Sequence, residues 1–340
     1  MSQLSELAST VRAQLTAPGA PFEVIEQPVN GQLMRMYRNA FPNLPALLAS
    51  ARSHAGKPFI RYQGEVWTFD RLFAEADALA ACLQAWGVQP GDRVAIAMRN
   101  RPEWAVVFVA AALIGAVPAP LNSFGLGEEL HAALADVEPC VLACDSDRLA
   151  RIGGDAQVPG CRILCVDGAA PTSGVEDYRV VVAQAVPPAA LPALGPDDPA
   201  LILFTSGATS RAKGVLSTQR AVCQALFNID YIGALSGMTS PEAVAALMAK
   251  GLAPTTLTAV PLFHVSGLHA QLLSSLRNGR QLVFVSRWDP AQAIELIRDE
   301  RITQFNGAPS MVMQLLAQPG FDDAALTGTL GGLGDRKSVM

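Results

Sequence analysis

Short, uniformly apolar segments alternate with helix-like segments along most of this chain, and this alternation constrains the fold more than any other feature. RVAIAM (residues 93–98) is a continuous apolar run, and PEWAVVFVAAALI (102–114) opens with a proline, as helices often do. The apolar runs AVPAPLN, CVLAC and RILCV follow. Strands that are apolar on both faces and separated by helices are typical of a parallel sheet covered on both sides.

The alternation is interrupted once and then resumes. Residues 171–199 are rich in proline, alanine and glycine, which indicates a connection rather than a helix or strand. After it, a strand at 200–204 is followed by further alternating segments up to ITQFN. The sequence therefore predicts an α/β protein with two βαβ subdomains in series. The predicted divisions are an N-terminal extension at 1–50, a first subdomain at 51–170, the connection, and a second subdomain at 200–334.

Composition excludes several functional classes. Half of the 340 residues are hydrophobic, 16% are charged, the mean hydropathy is +0.27 and the net charge is −5. Without a basic patch, nucleic acid is not an expected partner. The uncharged stretch at 104–121 is broken by Gly115, Pro118 and Pro120, so we predict a buried helix and strand rather than a transmembrane span. The N-terminus lacks the pattern of a secretory signal, so we expect a cytoplasmic protein.

The cysteines have a spacing that resembles a metal-binding pattern only superficially. Four of the six form two C-x₃-C pairs, PCVLACD and CRILCV, inside apolar, strand-like segments. Four thiols on such segments would not converge readily on one tetrahedral ion. The sequence favours buried thiols over a metal site or disulfides.

The stretch LILFTSGATSRAKGV (201–215) runs from a buried strand into small hydroxylated residues and a lysine. Backbone N–H groups, hydroxyls and a cation at the carboxyl end of a strand are suited to hold phosphate. It is not a Walker A loop, because Ala212 stands where that motif has its second glycine and Gly214 follows the lysine. From composition alone, a phosphate loop and a structural loop both remain open.

Several motifs together resemble the adenylate-forming superfamily, and its acyl-CoA synthetase branch most of all. FTSGATSRAKGV resembles the family's phosphate-binding motif, and VPLFHVSG (260–267) resembles its substrate-side motif. GVQPGDRVAIAMRNRPEW, IGAVPAPLN and WTF occur in family order at similar spacings. The resemblance implies the large N-terminal domain of such an enzyme, C-terminally incomplete in this sequence.

The resemblance also implies a reaction and a set of residues. A carboxylate attacks the α-phosphorus of ATP, pyrophosphate leaves, and the acyl group passes to the thiol of coenzyme A. ATP, Mg²⁺ and coenzyme A are thus implied, with a fatty or other apolar carboxylic acid as the small-molecule partner. The residues implied for the β and γ phosphates are Thr205, Ser206, Gly207, Thr209, Lys213 and Gly214.

On the acyl side, the resemblance places His264 near the acyl carboxylate and the adenylate, with a catalytic role. It also places Gly307, Ala308 and Pro309 at the wall of the acyl pocket. A histidine capping the end of a strand and a plain strand-to-helix turn are the alternative interpretations of these two features. His269, on the following helix, is expected to pack rather than react.

The phosphate-binding motif departs from the family pattern at Ala208, Ser210 and Ala212. A lost hydroxyl costs on the order of 1 kcal/mol for an ordinary hydrogen bond. If residue 210 needs a positive φ, serine adds about 1 kcal/mol more. We therefore expect ATP binding to be weakened but not abolished.

Other family features do not occur in the sequence. These are the Tyr-Gly-x-Thr-Glu motif, the ribose-binding aspartate, the interdomain hinge and the late catalytic lysine. We expect little turnover by the 340-residue chain alone, and exposed apolar surface near residues 302–334. The ending DRKSV resembles a translated sequencing adapter, so residues 335–340 are hypothesised to be non-native.

Two other functions remain open at this point. An amino-acid-activating domain of the same superfamily would usually have an aspartate in the substrate-side motif, and PLFHVSG has none. A non-catalytic nucleotide- or acyl-binding module would fit the altered phosphate-binding motif.

Overall fold

Strands and helices alternate through the computed structural model, which describes residues 3–153, 158, 160–168, 174–184, 190–205, 212–323 and 328–334. The helices are α1 (Gln3–Thr16), α2 (Leu44–Ala51), α3 (Phe69–Ala85), α4 (Pro102–Leu113), α5 (Gly127–Val137), α6 (Ser146–Ile152), α7 (Tyr178–Ala183), α8 (Gln219–Thr239), α9 (Pro241–Ala249), α10 (Val265–Gly267), α11 (Ser274–Asn278), α12 (Pro290–Asp299) and α13 (Pro309–Leu316). A 3₁₀ turn spans Arg52–His54, and a π-helical segment, Leu268–Leu273, joins α10 to α11.

The strands are β1 (Val24–Val29), β2 (Gln32–Tyr37), β3 (Pro58–Tyr62), β4 (Glu65–Thr68), β5 (Arg93–Ala97), β6 (Val117–Pro120), β7 (Val141–Cys144), β8 (Arg162–Cys165), β9 (Val175–Asp177), β10 (Pro199–Thr205), β11 (Lys213–Thr218), β12 (Thr255–Thr258), β13 (Gln281–Phe284), β14 (Gln304–Asn306) and β15 (Gly332–Gly334). Strands β1 and β2 form an N-terminal antiparallel hairpin.

A first sheet contains only parallel neighbours in the described part of the chain. Its strand order is β6-β5-β7-β8-β9. The residues of β5, β6 and β7 are almost all buried, as expected for strands apolar on both faces. The order is not sequential at β5, because β6 and β7 lie on opposite sides of it, and such a point is where open α/β sheets bind ligands.

The second sheet has the order β15-β14-β12-β13-β3-β4 and combines distant parts of the chain. Strand β3 pairs in parallel with β13, and β4 turns back antiparallel to β3. The α/β fold class predicted from the sequence is confirmed by this architecture. The order of segments along the chain did not indicate that β3 and β4 join the later sheet. The division into subdomains at 51–170 and 200–334 remains a prediction.

The segment around Lys213 differs from the sequence-based expectation of a loop leading to a helix. Residues 213–218 form β11, which pairs antiparallel with β10. The hydroxyl of Thr218 then accepts a hydrogen bond from the Ala221 N–H and caps α8. The segment KGVLST (213–218) has no strong preference of its own for a strand, and pairing with β10 satisfies its backbone groups.

Helix α4 is buried on nearly every face: the residues from Trp104 to Leu113 are at most 3% exposed, and only Glu103 in the first turn is half-buried. The indole of Trp104 stacks on the Phe108 ring, with 5.6 Å between the ring centroids. A helix that is apolar on every face belongs in a core, and α4 packs against α2 and α3 and joins the same apolar cluster as both sheets. The predicted buried helix followed by a strand is thus α4 followed by β6. Among the described residues, none of the helices is both long and apolar enough to cross a bilayer.

All six cysteines lie in the described residues, and no disulfide forms among them. Cys144 and Cys165 are paired neighbours on β7 and β8, and both are buried in the core beneath α5 and α6. Cys223 is also buried, whereas Cys82, Cys140 and Cys161 are half-buried. In the described ranges, no group of three or more His, Cys, Asp or Glu side chains is arranged to hold a metal ion.

Candidate functional site

The carboxyl ends of β12 and β14 bring two predicted site segments together. These strands are parallel neighbours, so the loop 259–264 that carries His264 and the turn 307–309 leave the sheet side by side. The buried side chain of Gln271, in the π-helical segment, donates from Nε2 to the Asn306 carbonyl at 3.1 Å. This bond ties the helix that follows His264 to the residue that precedes Gly307.

His264 lies at the start of α10 and is exposed. Its backbone N–H donates to the Pro261 carbonyl at 3.2 Å, and its own carbonyl accepts from the Leu268 N–H at 2.8 Å. Position 267 must be glycine, because a Cβ there would clash with the Pro261 carbonyl oxygen and lie 2.7 Å from the Pro261 carbonyl carbon. The loop therefore folds back tightly onto the helix that it begins. His269 is buried, as expected for a packing residue.

Gly307, Ala308 and Pro309 form the turn between β14 and α13. Ala308 adopts an extended conformation before the helix, and Pro309 is its first residue. A Cβ at position 307 would lie 2.5 Å from the Phe305 ring. That ring stacks on the Trp288 indole at 5.3 Å between centroids. The turn is therefore a strand-to-helix connection in which Gly307 lies close to the Phe305 ring, and its role in an acyl pocket stays a prediction.

Asn100 joins the first sheet to the His264 loop. It follows β5 and is 6% exposed. Its Nδ2 donates to the Val260 carbonyl at 2.9 Å and, at a longer 3.4 Å, to the Thr258 carbonyl, while its Oδ1 accepts from the Leu262 N–H at 3.0 Å. The Asn100 amide thus fixes the backbone of residues 260–262, which directly precede Phe263 and His264.

A row of contacting side chains runs from the end of the first sheet to His264. The Arg99 guanidinium lies 3.6 Å from the centroid of the Phe124 ring. The Phe124 ring meets the Phe263 ring edge-on at 5.8 Å, and the Phe263 ring lies 4.4 Å from the His264 imidazole. Partly desolvated cation–π contacts are worth about 1–2 kcal/mol. Burial, with the nearby charges of Arg148 and Arg151, lowers the pKa of Arg99.

A buried ion pair supports the two loops from which this row projects. Arg148 and Asp145 are 3% and 4% exposed, and their charged groups approach to 2.8 Å. The Arg148 Nε donates to the Ser123 carbonyl at 2.8 Å, and the Arg99 N–H donates to Asp145 at 3.2 Å. The backbones next to Phe124 and at Arg99 are thereby fixed relative to each other.

Three of the predicted phosphate residues, Thr205, Lys213 and Gly214, lie on the paired strands β10 and β11. Thr205 is paired with Lys213, and its Oγ1 donates to the Lys213 carbonyl at 3.4 Å. Both residues are exposed, and Lys213 and Gly214 line a surface pocket of about 290 Å³. Ser206, Gly207 and Thr209 lie outside the described residues, as do Ala208 and Ser210. Strand β10 lies alongside β6, the strand that leads to Phe124.

Sequence reasoning missed Asn100, Arg99, Phe124 and Gln271. Each lies at the carboxyl end of a strand or on the helix after His264, and only their long-range partners reveal a role. For Asn100 a signal was present, since an amide directly after an apolar parallel strand is placed at the ligand-binding edge of the sheet.

Comparison with known proteins identifies the family of the chain. A sequence model described as AMP-binding enzyme matches residues 47–334. The chain is 31% identical over 278 residues to an indoleacetate–CoA ligase of Aromatoleum aromaticum, which covers 80% of this chain and 50% of that protein. It is 31% identical over 271 residues to a feruloyl-CoA synthase of an Amycolatopsis species, which covers 79% of this chain and 49% of that protein.

A solved structure has the same fold. The ATP-bound MatB of Rhodopseudomonas palustris superposes with a TM-score of 0.66 at 24% identity, covering 86% of this chain and 54% of that one. The chain spans about half the length of the curated relatives that it matches. On the extent of the family match, the chain belongs to the AMP-binding enzyme family, among relatives that are acid–CoA ligases.

Proposed function

We propose that this chain supplies the adenylate-forming part of an ATP-dependent acyl-CoA synthetase. The observation that carries the proposal is the convergence of the His264 loop and the 307–309 turn at neighbouring carboxyl ends of one sheet, joined to the first sheet by Asn100. Parallel α/β sheets bind their ligands at this edge. The family match over residues 47–334 supports the same reaction class.

The proposed roles follow the chemistry of adenylation. As pyrophosphate leaves, negative charge grows on the leaving phosphates and must be stabilised. Lys213, with the hydroxyl and backbone N–H groups of Thr205, Ser206, Gly207 and Thr209, would bind the β and γ phosphates. Lys213 is exposed and directly opposite Thr205 in the strand pair, so a cation and a hydroxyl of the motif lie together.

On the acyl side, His264 would lie against the carboxylate and the adenylate. Its exposed imidazole packs on one side against the Phe263 ring. This contact would limit the orientations of the imidazole and so reduce the entropy lost when it meets the substrate. Gly307, Ala308 and Pro309 would form one wall of the acyl pocket. Small residues there leave room for a bulky acid above the Phe305–Trp288 pair.

ATP and coenzyme A enter this proposal as substrates. The donor set fits a nucleotide phosphate, since a lysine, threonine hydroxyls and the backbone N–H groups of glycines in the motif are groups that bind phosphate oxygens. Mg²⁺ would bind to the phosphate oxygens of ATP. When bound, it would neutralise part of the phosphate charge.

For the acid, we propose an apolar carboxylate, fatty or aromatic. The substrate-side segments around His264 and Gly307 contain aromatic and aliphatic side chains and no acidic residue that would bind an ammonium group. Two of the relatives, the indoleacetate–CoA ligase and the feruloyl-CoA synthase, are named for acids that are bulky and largely apolar. A pocket wall of small residues suits bulky acids of this kind better than it suits a short, polar acid.

The test is binding of ATP and of an acyl-sulfamoyl-adenosine, a stable adenylate mimic, to the 340-residue chain by calorimetry. We expect Lys213→Ala to weaken ATP binding by about tenfold, the loss expected for one charge-assisted contact. Lys57→Ala, an exposed lysine elsewhere, is the matched control. His264→Ala should weaken the mimic more than ATP, with His131→Ala as its control. Failure of the wild-type chain to bind either ligand would overturn the proposal.

The same proposal has a consequence for turnover. The glutamate, aspartate and lysine motifs expected of the complete reaction do not occur in the 340 residues, so we expect little carboxylate-dependent exchange between ATP and pyrophosphate by this chain alone. Robust exchange or thioester formation would contradict that expectation.

A further inference from the structure

We propose that Asn100 is the positioning residue that sets the conformation of the His264 loop, and thereby the affinity of the site for an acyl-adenylate. The inference rests on the proposed function for its ligand but not for its geometry. Asn100 itself touches neither proposed substrate. It acts through the backbone of residues 258–262, which it bonds directly.

The bonding pattern requires a carboxamide. Nδ2 must donate to the Val260 and Thr258 carbonyls while Oδ1 accepts from the Leu262 N–H. An amide is the small side chain that donates and accepts at once from adjacent atoms. Aspartate has the same shape but could only accept when ionised, so it would face two carbonyl oxygens without a hydrogen between them. Because Asn100 is 6% exposed, water cannot easily replace the lost bonds.

The position of Asn100 in the fold explains why this bond matters to the site. Residues 98–101 follow β5 of the first sheet, whereas residues 259–264 follow β12 of the second. The Asn100 side chain therefore spans the junction between the two sheets. The Arg99 side chain contacts the Phe124 ring, which in turn packs against Phe263 of the same loop. With its backbone and its aromatic ring both fixed, the loop can present His264 in one orientation.

The experiment uses the 340-residue chain with Asn100→Asp and a matched control, Asn43→Asp. Asn43 is half-buried and also donates through Nδ2 to a carbonyl, that of Leu194 at 2.8 Å, while its Oδ1 caps α2. Both variants thus lose one amide donor and gain one charge, but Asn43→Asp keeps an N-cap acceptor and should melt at the higher temperature of the two. The variants are compared by NMR of labelled histidine, with the His264 signals assigned from their loss in His264→Gln, and by calorimetry with the acyl-sulfamoyl-adenosine.

We expect Asn100→Asp to shift the His264 ring signals and to leave those of His54 and His131 in place. Asn43→Asp should leave the His264 signals unchanged. The dissociation constant of the mimic should rise about tenfold in Asn100→Asp and less than about twofold in Asn43→Asp. If both variants move the His264 signals equally, or neither moves them, Asn100 is a structural residue and the inference is wrong.

A measurement on the unmodified chain keeps the inference testable should Asn100→Asp fail to fold. The Leu262 amide hydrogen, bonded to the Asn100 Oδ1 in the wild type, should exchange with solvent at least about tenfold more slowly than the same amide in the unfolded chain. Unprotected exchange at Leu262 would overturn the proposal. If the wild type fails to bind the mimic, the proposed function fails, and the NMR comparison still decides the role of Asn100.

Discussion

The backbone around His264 is held by contacts that leave little room for substitution. Gly267 approaches the Pro261 carbonyl so closely that even a methyl group has no space. Asn100 fixes the same segment through Val260 and Leu262. A histidine on an ordinary loop would sample many orientations, whereas this one lies between a fixed backbone and the Phe263 ring. The position of His264 thus depends on Gly267 and Asn100, two uncharged residues for which no contact with substrate is proposed.

Gly267→Ala is expected to lower the free energy of unfolding by about 1–3 kcal/mol, because the added methyl group forces the loop and helix apart. It should also weaken binding of the acyl-adenylate mimic. The measurement is urea denaturation followed by calorimetry. Gly233→Ala is the control, since Gly233 lies in helix α8 with open space around its Cα. That change should stabilise the chain by about 0.5–1 kcal/mol. Equal stability of Gly267→Ala and the wild type would contradict the described packing.

At the level of strands and helices, the pairing register of β7 and β8 decides where the cysteines of the two C-x₃-C pairs lie. Strands β7 and β8 are parallel and pair Cys144 with Cys165 inside an apolar core. Burial raises the pKa of Cys144 well above its ordinary value. Burial, and to a smaller extent Cys140, raises the pKa of Cys161 to about 12. Thiols in such surroundings pack as apolar groups and are poor metal ligands, since the thiolate is the binding form.

These pKa values predict low thiol reactivity. A thiol with a pKa of about 12, as for Cys161 and Cys223, is ionised in about one molecule in ten thousand at pH 8. Iodoacetamide should therefore label Cys161 and Cys223 at least about 100-fold more slowly in the native chain than in guanidinium chloride. Peptide mass spectrometry gives the rate for each site. Labelling of the native chain should accelerate as the pH rises toward 10. Rapid native labelling at pH 8 would show that these thiols are accessible and ionised.

For the whole molecule, the main feature is that the two sheets are not built from separate halves of the chain. Strands β3 and β4 come from residues 58–68 yet complete the sheet formed by β12–β15. Phe59 and Ile60 of β3 are fully buried. Helix α4 contributes to the apolar cluster that contacts both sheets, and Asn100 adds a polar connection. Loss of either sheet would therefore expose much of the core of the other.

This arrangement predicts that both sheets unfold in one cooperative transition. Variants that keep a single tryptophan, Trp104 in α4 or Trp288 beside β14, report on the two regions separately. Their fluorescence midpoints in urea should coincide, as for a two-state unit. A matched experiment with residues 200–334 alone should give no cooperative transition, because β3 and β4 are missing. Two well-separated midpoints in the whole chain would instead show independent subdomains.

Local pattern was enough to predict much of the fold. The apolar runs that became β5, β6, β7 and β8 are uniform along their length and short, which is typical of buried parallel strands. The buried helix at residues 102–113 was predictable for the same reason. The sequence pattern did not predict the structure of short segments that could be either loop or strand. Residues 213–218 are an example, because pairing with β10 makes them a strand. The position of β3 and β4 was also unpredictable, since alternation along the chain does not encode which sheet a strand joins.

The sequence by itself determined the alternation of strands and helices, the buried character of α4, and the motifs that contain Lys213, His264 and Gly307. These depend on side-chain polarity and spacing, which are local properties. The tertiary structure alone decided the order of strands, the contact between the His264 loop and Asn100, and the row of rings from Arg99 to His264. Those features join residues more than 100 positions apart, and hydrogen bonds at such separation are chosen by packing of the whole chain rather than by any segment of it.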